Sequence, residues 1–277
     1  MLGFRRLMRE ALAEDVGQGD ITTKSTVSKE ARCRVRLIAK QSGVLSGIEV
    51  FRAVFDLLTA RVRHWEALED GALFAAGDRV AGFEANTAAV LTGERLALNF
   101  VQHLSGVATV TRQYVEAVKG LDARICDTRK TTPLMRALEK QAVMHGGGTN
   151  HRFALFDGVL IKENHIVAAG SVRAAVEKAI RGTHHLMKVG IEVTNLTELK
   201  EALAAGADSI LLDNMSLEEM ARAVKLTAKH KVILEASGNV TLERVRAIAE
   251  TGVHYISVGA LTHSAPSVDL SLLIENV

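Results

Sequence analysis

Apolar residues near the start of the chain, Phe4, Leu7, Met8, Ala11 and Leu12, recur at helical spacing and predict an amphipathic helix. Gly17 and Gly19 break that pattern, and Asp20 ahead of Ile21-Thr-Thr23 predicts a turn or cap. The period then changes to two. Cys33, Val35, Leu37 and Ala39 alternate with Arg34 and Arg36, as in a half-buried strand. Ile48, Phe51, Phe55 and Leu58 return to helical spacing, and residues 61–85 read as short strands with turns at Asp70-Gly71 and Gly77-Asp78. These elements follow no regular βα rhythm. They predict a separate α+β unit.

From Thr87 to about Lys119 the pattern is helical, with a break expected at Ser105-Gly106. A regular rhythm follows. Strand-like runs at Ala123–Asp127, Gly158–Lys162, Leu186–Val193, Ser209–Leu212, Val232–Leu234 and Tyr255–Val258 alternate with amphipathic segments. Two units end alike, in Glu201-Ala-Leu-Ala-Ala-Gly-Ala-Asp-Ser-Ile and Arg246-Ala-Ile-Ala-Glu-Thr-Gly-Val-His-Tyr-Ile: helix, C-terminal glycine, buried strand. Strand ends recur roughly every 20–35 residues, the size of a βα unit. The expected fold class is therefore α/β, with a closed or nearly closed barrel in the second part of the chain.

The composition adds little specificity. Of 277 residues, 48% are hydrophobic and 24% charged, and the net charge of +2 provides no global field for nucleic acid or an acidic membrane. The first ten residues interrupt their apolar positions with charge, unlike a signal peptide, and no apolar run has the length of a membrane span. Cys33 and Cys126 have no metal-ligand spacing, and so few cysteines suit a reducing compartment. A cytoplasmic protein is expected.

Candidate chemistry collects at the C-terminal ends of the predicted barrel strands, where the loops of such barrels converge. Arg129, Lys130, Arg152 and Lys162 are cations suited to carboxylate or phosphate, with His151 beside them. Gly146-Gly-Gly148 and Ser237-Gly238-Asn239 can bare backbone N–H groups to phosphate oxygens. Glu192 and Asp213 could seat Mg²⁺ carrying a polyphosphate, through waters. Each residue also has a plainer reading. Arg129-Lys130 fits a solvated loop, the glycine run a flexible turn, and Glu192 and Asp213 helix caps. Lys162 fits a snorkelling surface lysine or a Schiff-base lysine, and His151 a structural histidine. Arg95 shares a helix face with Leu91 and Leu98. A local pair with Glu94 and an arginine at a subunit contact are equally compatible with that spacing.

Ordered strings then identify a resemblance that runs nearly end to end. They are Glu14-Asp-Val-Gly-Gln-Gly-Asp-Ile-Thr-Thr23, Glu94-Arg-Leu-Ala-Leu-Asn99, Asp127-Thr-Arg-Lys-Thr-Thr-Pro133, Gly146-Gly-Gly-Thr-Asn-His-Arg152, Leu160-Ile-Lys-Glu-Asn-His165, Leu211-Leu-Asp-Asn214, Glu235-Ala-Ser-Gly238 and Val258-Gly-Ala-Leu-Thr-His-Ser264. The chain resembles the nicotinate-nucleotide pyrophosphorylase (carboxylating), or quinolinate phosphoribosyltransferase, family. The resemblance implies that residues 1–105 form an N-terminal α/β sandwich domain joined by a C-terminal tail, 265–277, and that residues 106–264 form an incomplete α/β (TIM-like) barrel. It implies quinolinate and phosphoribosyl pyrophosphate as substrates, Mg²⁺ as cofactor, and a dimer or hexamer of dimers with shared active sites. By position it implies a quinolinate-side group of Arg95 (from the partner subunit), Arg129, His151, Arg152 and Lys162, with Thr128 and Lys130 in the same string. Glu192 and Asp213 would serve the ribose and metal–pyrophosphate, and Lys130, Lys162, Glu192 and Asp213 the chemistry. Ser237-Gly238-Asn239 and Val258-Gly259-Ala260 would hold phosphate.

The sequence departs from the family pattern at Gly190 and Thr194, where many members carry further acids flanking Glu192, and at Glu163, where aspartate is common. Three other readings stand beside the resemblance: a paralogue of the same fold in molybdenum uptake, a Schiff-base aldolase using Lys162, and a non-enzymatic binder of phosphoribosyl pyrophosphate.

Overall fold

The computed structural model describes residues 2–277, so Met1 of the leader reading lies outside the described residues. The described residues divide into two compact units: 2–110, 132–147 and 265–277 in the first, 111–131 and 148–264 in the second. The segment 132–147, which the sequence rhythm runs into the barrel, groups with the first unit.

The first unit contains α1 (Leu2–Val16), α2 (Ile21–Thr26), β1 (Arg32–Ala39), β2 (Gly43–Val44), α3 (Ile48–Leu57), β3 (Arg63–Ala67), β4 (Leu73–Phe74), β5 (Arg79–Asn86), most of α4 (Thr87–Ala117) and α5 (Arg136–His145). Its antiparallel sheet has the order β12-β1-β5-β3, and β12 (Leu270–Asn276) is the C-terminal strand. The alternation read in β1 places Cys33, Val35, Leu37 and Ala39 in the core. Phe51 and Phe55 of α3 pack with Phe83 of β5 and Trp65 of β3, with ring centroids 5.1 Å apart for Phe51–Phe55 and 5.2 Å for Phe55–Phe83. Asp20 caps α2, its Oδ1 accepting from Thr23 N at 2.9 Å.

The expected helix break at Ser105-Gly106 is overturned, because α4 is continuous through both residues. Gly106 has a packing reason. A Cβ there would lie 2.1 Å from the backbone oxygen of Pro266, so only glycine lets the segment leading to β12 approach α4 this closely. Among the described residues no helix, α4 included, is long and apolar enough to cross a membrane.

The second unit is a six-stranded parallel sheet with β6 (Arg124–Cys126) and β7 (Val159–Ile161) at its edges. Between them lie β8 (Val189–Val193), β9 (Ser209–Asp213), β10 (Ile233–Ser237) and β11 (Tyr255–Ser257), in the order β6-β11-β10-β9-β8-β7. The connecting helices are α6 (Glu163–Ala169), α7 (Val172–Gly182), α8 (Leu196–Ala204), α9 (Leu217–Thr227), α10 (Leu242–Glu250) and α11 (Ala260–His263). Period-two alternation sorts the strand residues. Ile191, Val193, Ile210, Leu212, Leu234 and Ala236 are fully buried, as are the helix residues Leu199, Ala223, Val245 and Ile248. The residues between them on the strands, Glu192, Leu211, Asp213, Glu235 and Ser237, face a cavity instead.

Candidate active site

The cavity, about 730 Å³, opens within the second unit at the C-terminal ends of its strands. The parallel register pairs Asp213 with Ser237 and Glu192 with Leu211, so adjacent strands deliver their polar ends together. Of the residues assigned from sequence, Thr128, Arg129, Lys130, His151, Arg152, Lys162, Glu192, Asp213, Ser237, Gly238, Asn239, Gly259 and Ala260 all line it. Two do not. Val258 is buried, only 1% exposed, and its N–H donates to Cys126 O at 2.9 Å. Arg95 is exposed in the first unit and makes no hydrogen bond or salt bridge among the described residues. The Gly146–Gly148 run is also absent from the lining. Gly146 and Gly147 close α5 instead, donating to Ala142 O and Met144 O.

Local hydrogen bonds fix each cation-bearing segment. Thr128 Oγ1 accepts from Lys130 N at 3.0 Å, and Thr262 Oγ1 donates to Lys130 O at 2.8 Å. The lysine backbone is thus held from both sides. Thr149 pairs with Cys126 of β6, and Asp127, fully buried, accepts from His151 N at 2.8 Å. Arg152 Nη1 donates to Gly158 O at 2.7 Å, while its Nε is buried with no hydrogen-bond partner among the described residues. Burial first, and then the like charge of Arg129, pushes the Arg152 guanidinium below its ordinary value; Asp157 partly offsets them. Two arginines in mutual repulsion form a receptor for an anion with more than one charge.

Opposite in sign stand three carboxylates. Lys162 Nζ meets Glu192 Oε2 at 2.5 Å. Burial raises the Asp213 carboxyl above its ordinary value, and Glu192 raises it further; Asn214, Lys162 and Lys130 pull it back. Glu235 is the most perturbed group. Burial, with a smaller contribution from Glu192, pushes it up to about 7 against the hydrogen bond from Ser257 and the charge of Lys162. Glu235 belongs to one of the motif strings, which by itself gives it no role. The signal was available: it lies two residues before Ser237 on the same strand, hence on the same face. Asn214, Ser257 and His263 also line the cavity without having been assigned.

Among the described residues no group of three His, Cys, Asp or Glu side chains is arranged to hold a metal. Glu192 and Asp213 suit Mg²⁺ in another way. The charge of Glu192 raises the cost of ionising Asp213, which a divalent cation would relieve, and Mg²⁺ commonly takes one or two carboxylates, with water and substrate phosphate completing its shell.

The phosphate-loop geometry is specific to its residues. Gly238 has φ +90°, and a Cβ on it would lie 2.2 Å from Asn214 Oδ1. Asn214 and Asn239 both adopt positive φ, 53° and 48°, and Asn239 Nδ2 donates to Asn214 Oδ1 at 3.0 Å. Asn214 N also donates to Ser237 O at 2.9 Å. The ends of β9 and β10 are therefore clipped together around a backbone that only glycine can follow. The departure at Gly190 has a similar cause: a Cβ there would lie 2.7 Å from Ser209 Oγ on β9.

Comparison with known proteins agrees with this arrangement. Residues 20–105 match the N-terminal domain, and residues 107–273 the C-terminal domain, of the quinolinate phosphoribosyl transferase family. The chain is 42% identical over 271 residues to a probable nicotinate-nucleotide pyrophosphorylase [carboxylating] of Bacillus subtilis, covering 98% of this chain and 93% of that protein. It is 41% identical to the nicotinate-nucleotide pyrophosphorylase [carboxylating] of Mycobacterium leprae, covering 97% and 96%. The crystal structure of NadC from Streptococcus pyogenes superposes with a TM-score of 0.94 at 41% identity, covering 98% of this chain and 96% of that one. With both domains matched over almost its whole length, the chain belongs to the quinolinate phosphoribosyl transferase family.

Proposed function

We propose that the chain is a quinolinate phosphoribosyltransferase (decarboxylating), which converts quinolinate and phosphoribosyl pyrophosphate to nicotinate mononucleotide, pyrophosphate and CO₂ in NAD biosynthesis. The observation that carries the reading is one cavity in which Arg129 and Arg152 crowd together while Glu192 and Asp213 approach from neighbouring strands. A polyanionic acceptor suits the first pair, and a donor that develops positive charge suits the second.

The residues then have separate work. Arg129, Arg152 and Lys162 hold the two carboxylates of quinolinate, with the ring nitrogen aimed at C1′ of the donor. The Ser237-Gly238-Asn239 loop and Gly259-Ala260 hold the donor's phosphate through backbone N–H groups. As the C1′–O bond breaks, its electron pair leaves with pyrophosphate, and Glu192 and Asp213 stabilise the positive charge that grows on the ribose. Lys130 offsets the charge of the departing pyrophosphate. The nitrogen lone pair forms the N–C1′ bond. As CO₂ departs, the electron pair of the C2–carboxylate bond stays on C2, stabilised by the adjacent positively charged nitrogen, and C2 then takes up a proton. Mg²⁺, held by Glu192 and Asp213 through water, would supply further neutralisation of the leaving group.

Arg95 supports shared sites in a homo-oligomer: it is exposed, its charge is felt by the neighbouring Glu94, and it makes no hydrogen bond or salt bridge among the described residues, so its guanidinium is available to a neighbouring copy. The functional reading is tested by substrate choice. Nicotinate lacks the 2-carboxylate and would leave cationic groups unmatched. Its kcat/KM should fall about 10⁴-fold below that of quinolinate. Equal turnover of the two would refute the reading.

A further inference from the structure

We infer that Glu235 is a positioning residue that, braced by Ser257, orients His151 and through it the backbone of Arg152. The inference rests on the proposed function for its kinetic consequences, but its geometric content stands apart from it.

The segment carrying His151 and Arg152 has no regular secondary structure, so something else must hold it. Asp127 holds one end by accepting from His151 N at 2.8 Å. The imidazole holds the other: its Nδ1 accepts from Arg152 N at 2.7 Å. With Nδ1 acting as an acceptor, the proton of the neutral ring resides on Nε2. That nitrogen points toward Glu235 Oε1, 3.6 Å away. The separation is longer than a hydrogen bond, as such contacts often are before substrate tightens a site. Ser257 Oγ donates to the same carboxylate oxygen from the neighbouring strand. His151 and Glu235 are both largely buried, with side chains 19% and 12% exposed, so water competes weakly for the contact. A chain of contacts, two hydrogen bonds and one 3.6 Å approach, therefore leads from β11 through Ser257, Glu235 and His151 to the Arg152 N–H. The path ends at the residue whose guanidinium faces the cavity with Nε unpartnered among the described residues.

This path gives His151 a role different from that of a quinolinate-side cation. Both ring nitrogens are engaged by the protein, one with a backbone N–H and one toward a carboxylate. The imidazole is then a linker that sets where Arg152 stands, and Glu235 favours the tautomer that leaves Nδ1 free to accept from the Arg152 N–H.

Two measurements test the inference on the full-length protein. In the first, ¹⁵N-histidine NMR without substrate should show His151 as the Nε2–H tautomer in wild type and as a tautomer mixture in Glu235→Leu. In the second, Glu235→Leu should lower kcat/KM for quinolinate about 10- to 100-fold, the range of the one charge-assisted hydrogen bond that forms if substrate draws the 3.6 Å contact in, while KM for phosphoribosyl pyrophosphate moves less than about threefold. Glu235→Gln keeps an oxygen acceptor and should recover most of the loss. Ser257→Ala should give a smaller loss of the same selectivity, and it carries the test if the leucine variant fails to fold. An unchanged His151 tautomer, or a loss spread equally over both substrates, would overturn the positioning role. Failure of the wild type to turn over quinolinate would instead reject the functional reading, and the NMR result would still decide the linkage.

Discussion

Gly238→Ala puts the phosphate-loop geometry to a quantitative test. The new methyl meets two obstacles. At φ +90° an alanine occupies a left-handed backbone that costs about 1–2 kcal/mol. Its Cβ would also stand 2.2 Å from Asn214 Oδ1 and 2.4 Å from Asn214 Cγ, so the asparagine must swing away and lose the bond from Asn239 Nδ2. That bond contributes about 1 kcal/mol. Together the effects amount to about 2–3 kcal/mol, or roughly 30- to 150-fold in kcat/KM if the loop must regain its shape to bind the donor. Steady-state kinetics with each substrate varied in turn should show the loss with phosphoribosyl pyrophosphate, and less than about a threefold change in KM for quinolinate. Asn214→Gly opens the space the methyl needs and tolerates the positive φ at that position, so the double variant should lose less than the sum of the two single variants. A Gly238→Ala protein with wild-type KM for phosphoribosyl pyrophosphate would refute the assignment of this loop to the donor's phosphate.

Glu235, raised from 4.5 to about 7, binds more proton in the folded than in the unfolded protein between those pH values. The substrate-free protein should therefore lose up to about 3 kcal/mol of stability as pH rises from about 5 to about 8, and Glu235→Gln should lack that decline in denaturant titrations; parallel curves for the two proteins would contradict the burial argument. Chelation should abolish turnover and Mg²⁺ restore it, with Glu192→Ala lowering kcat more than it raises KM for quinolinate; full activity in excess chelator would remove the metal from the scheme. Arg95→Ala and Lys162→Ala should each be nearly inactive alone. Once mixed and shown by tagged pull-down to exchange subunits, they should recover about one quarter of wild-type activity, because half the dimers are hybrids with one intact site; no recovery in exchanged hybrids would place Arg95 outside the partner's site.

Much of this architecture was legible because its signals are local. The alternation of Cys33, Val35, Leu37 and Ala39 against arginines specifies β1, and the repeated helix–glycine–strand units specify the parallel sheet. The strand ends carried the cavity chemistry for the same reason, since a parallel sheet brings all its C-terminal ends to one side. What the local pattern does not supply is non-local. Gly106 reads as a helix breaker until Pro266 O is found against it, 160 residues further along the chain. Arg95 carries the same spacing whether its face is buried or open, and the first unit leaves it open. Val258 belongs to a loop string whose neighbours line the cavity, yet alternation at the end of β11 turns its side chain into the core. Glu235 has no role in the sequence reading because its string does not reveal its burial, and that burial follows from its place on β10 between β9 and β11.

The central claim is that this cavity joins the ring nitrogen of quinolinate to the ribose and then releases the 2-carboxylate. The direct measurement uses quinolinate labelled with ¹⁴C separately in the 2- and 3-carboxyl groups, together with phosphoribosyl pyrophosphate and Mg²⁺. Label should leave as CO₂ from the 2-position in one-to-one proportion to the nicotinate mononucleotide formed, only when phosphoribosyl pyrophosphate is present, and the 3-carboxyl label should remain in the nucleotide. Release without phosphoribosyl pyrophosphate, release from the 3-position, or binding of both substrates with no labelled CO₂ would contradict the account.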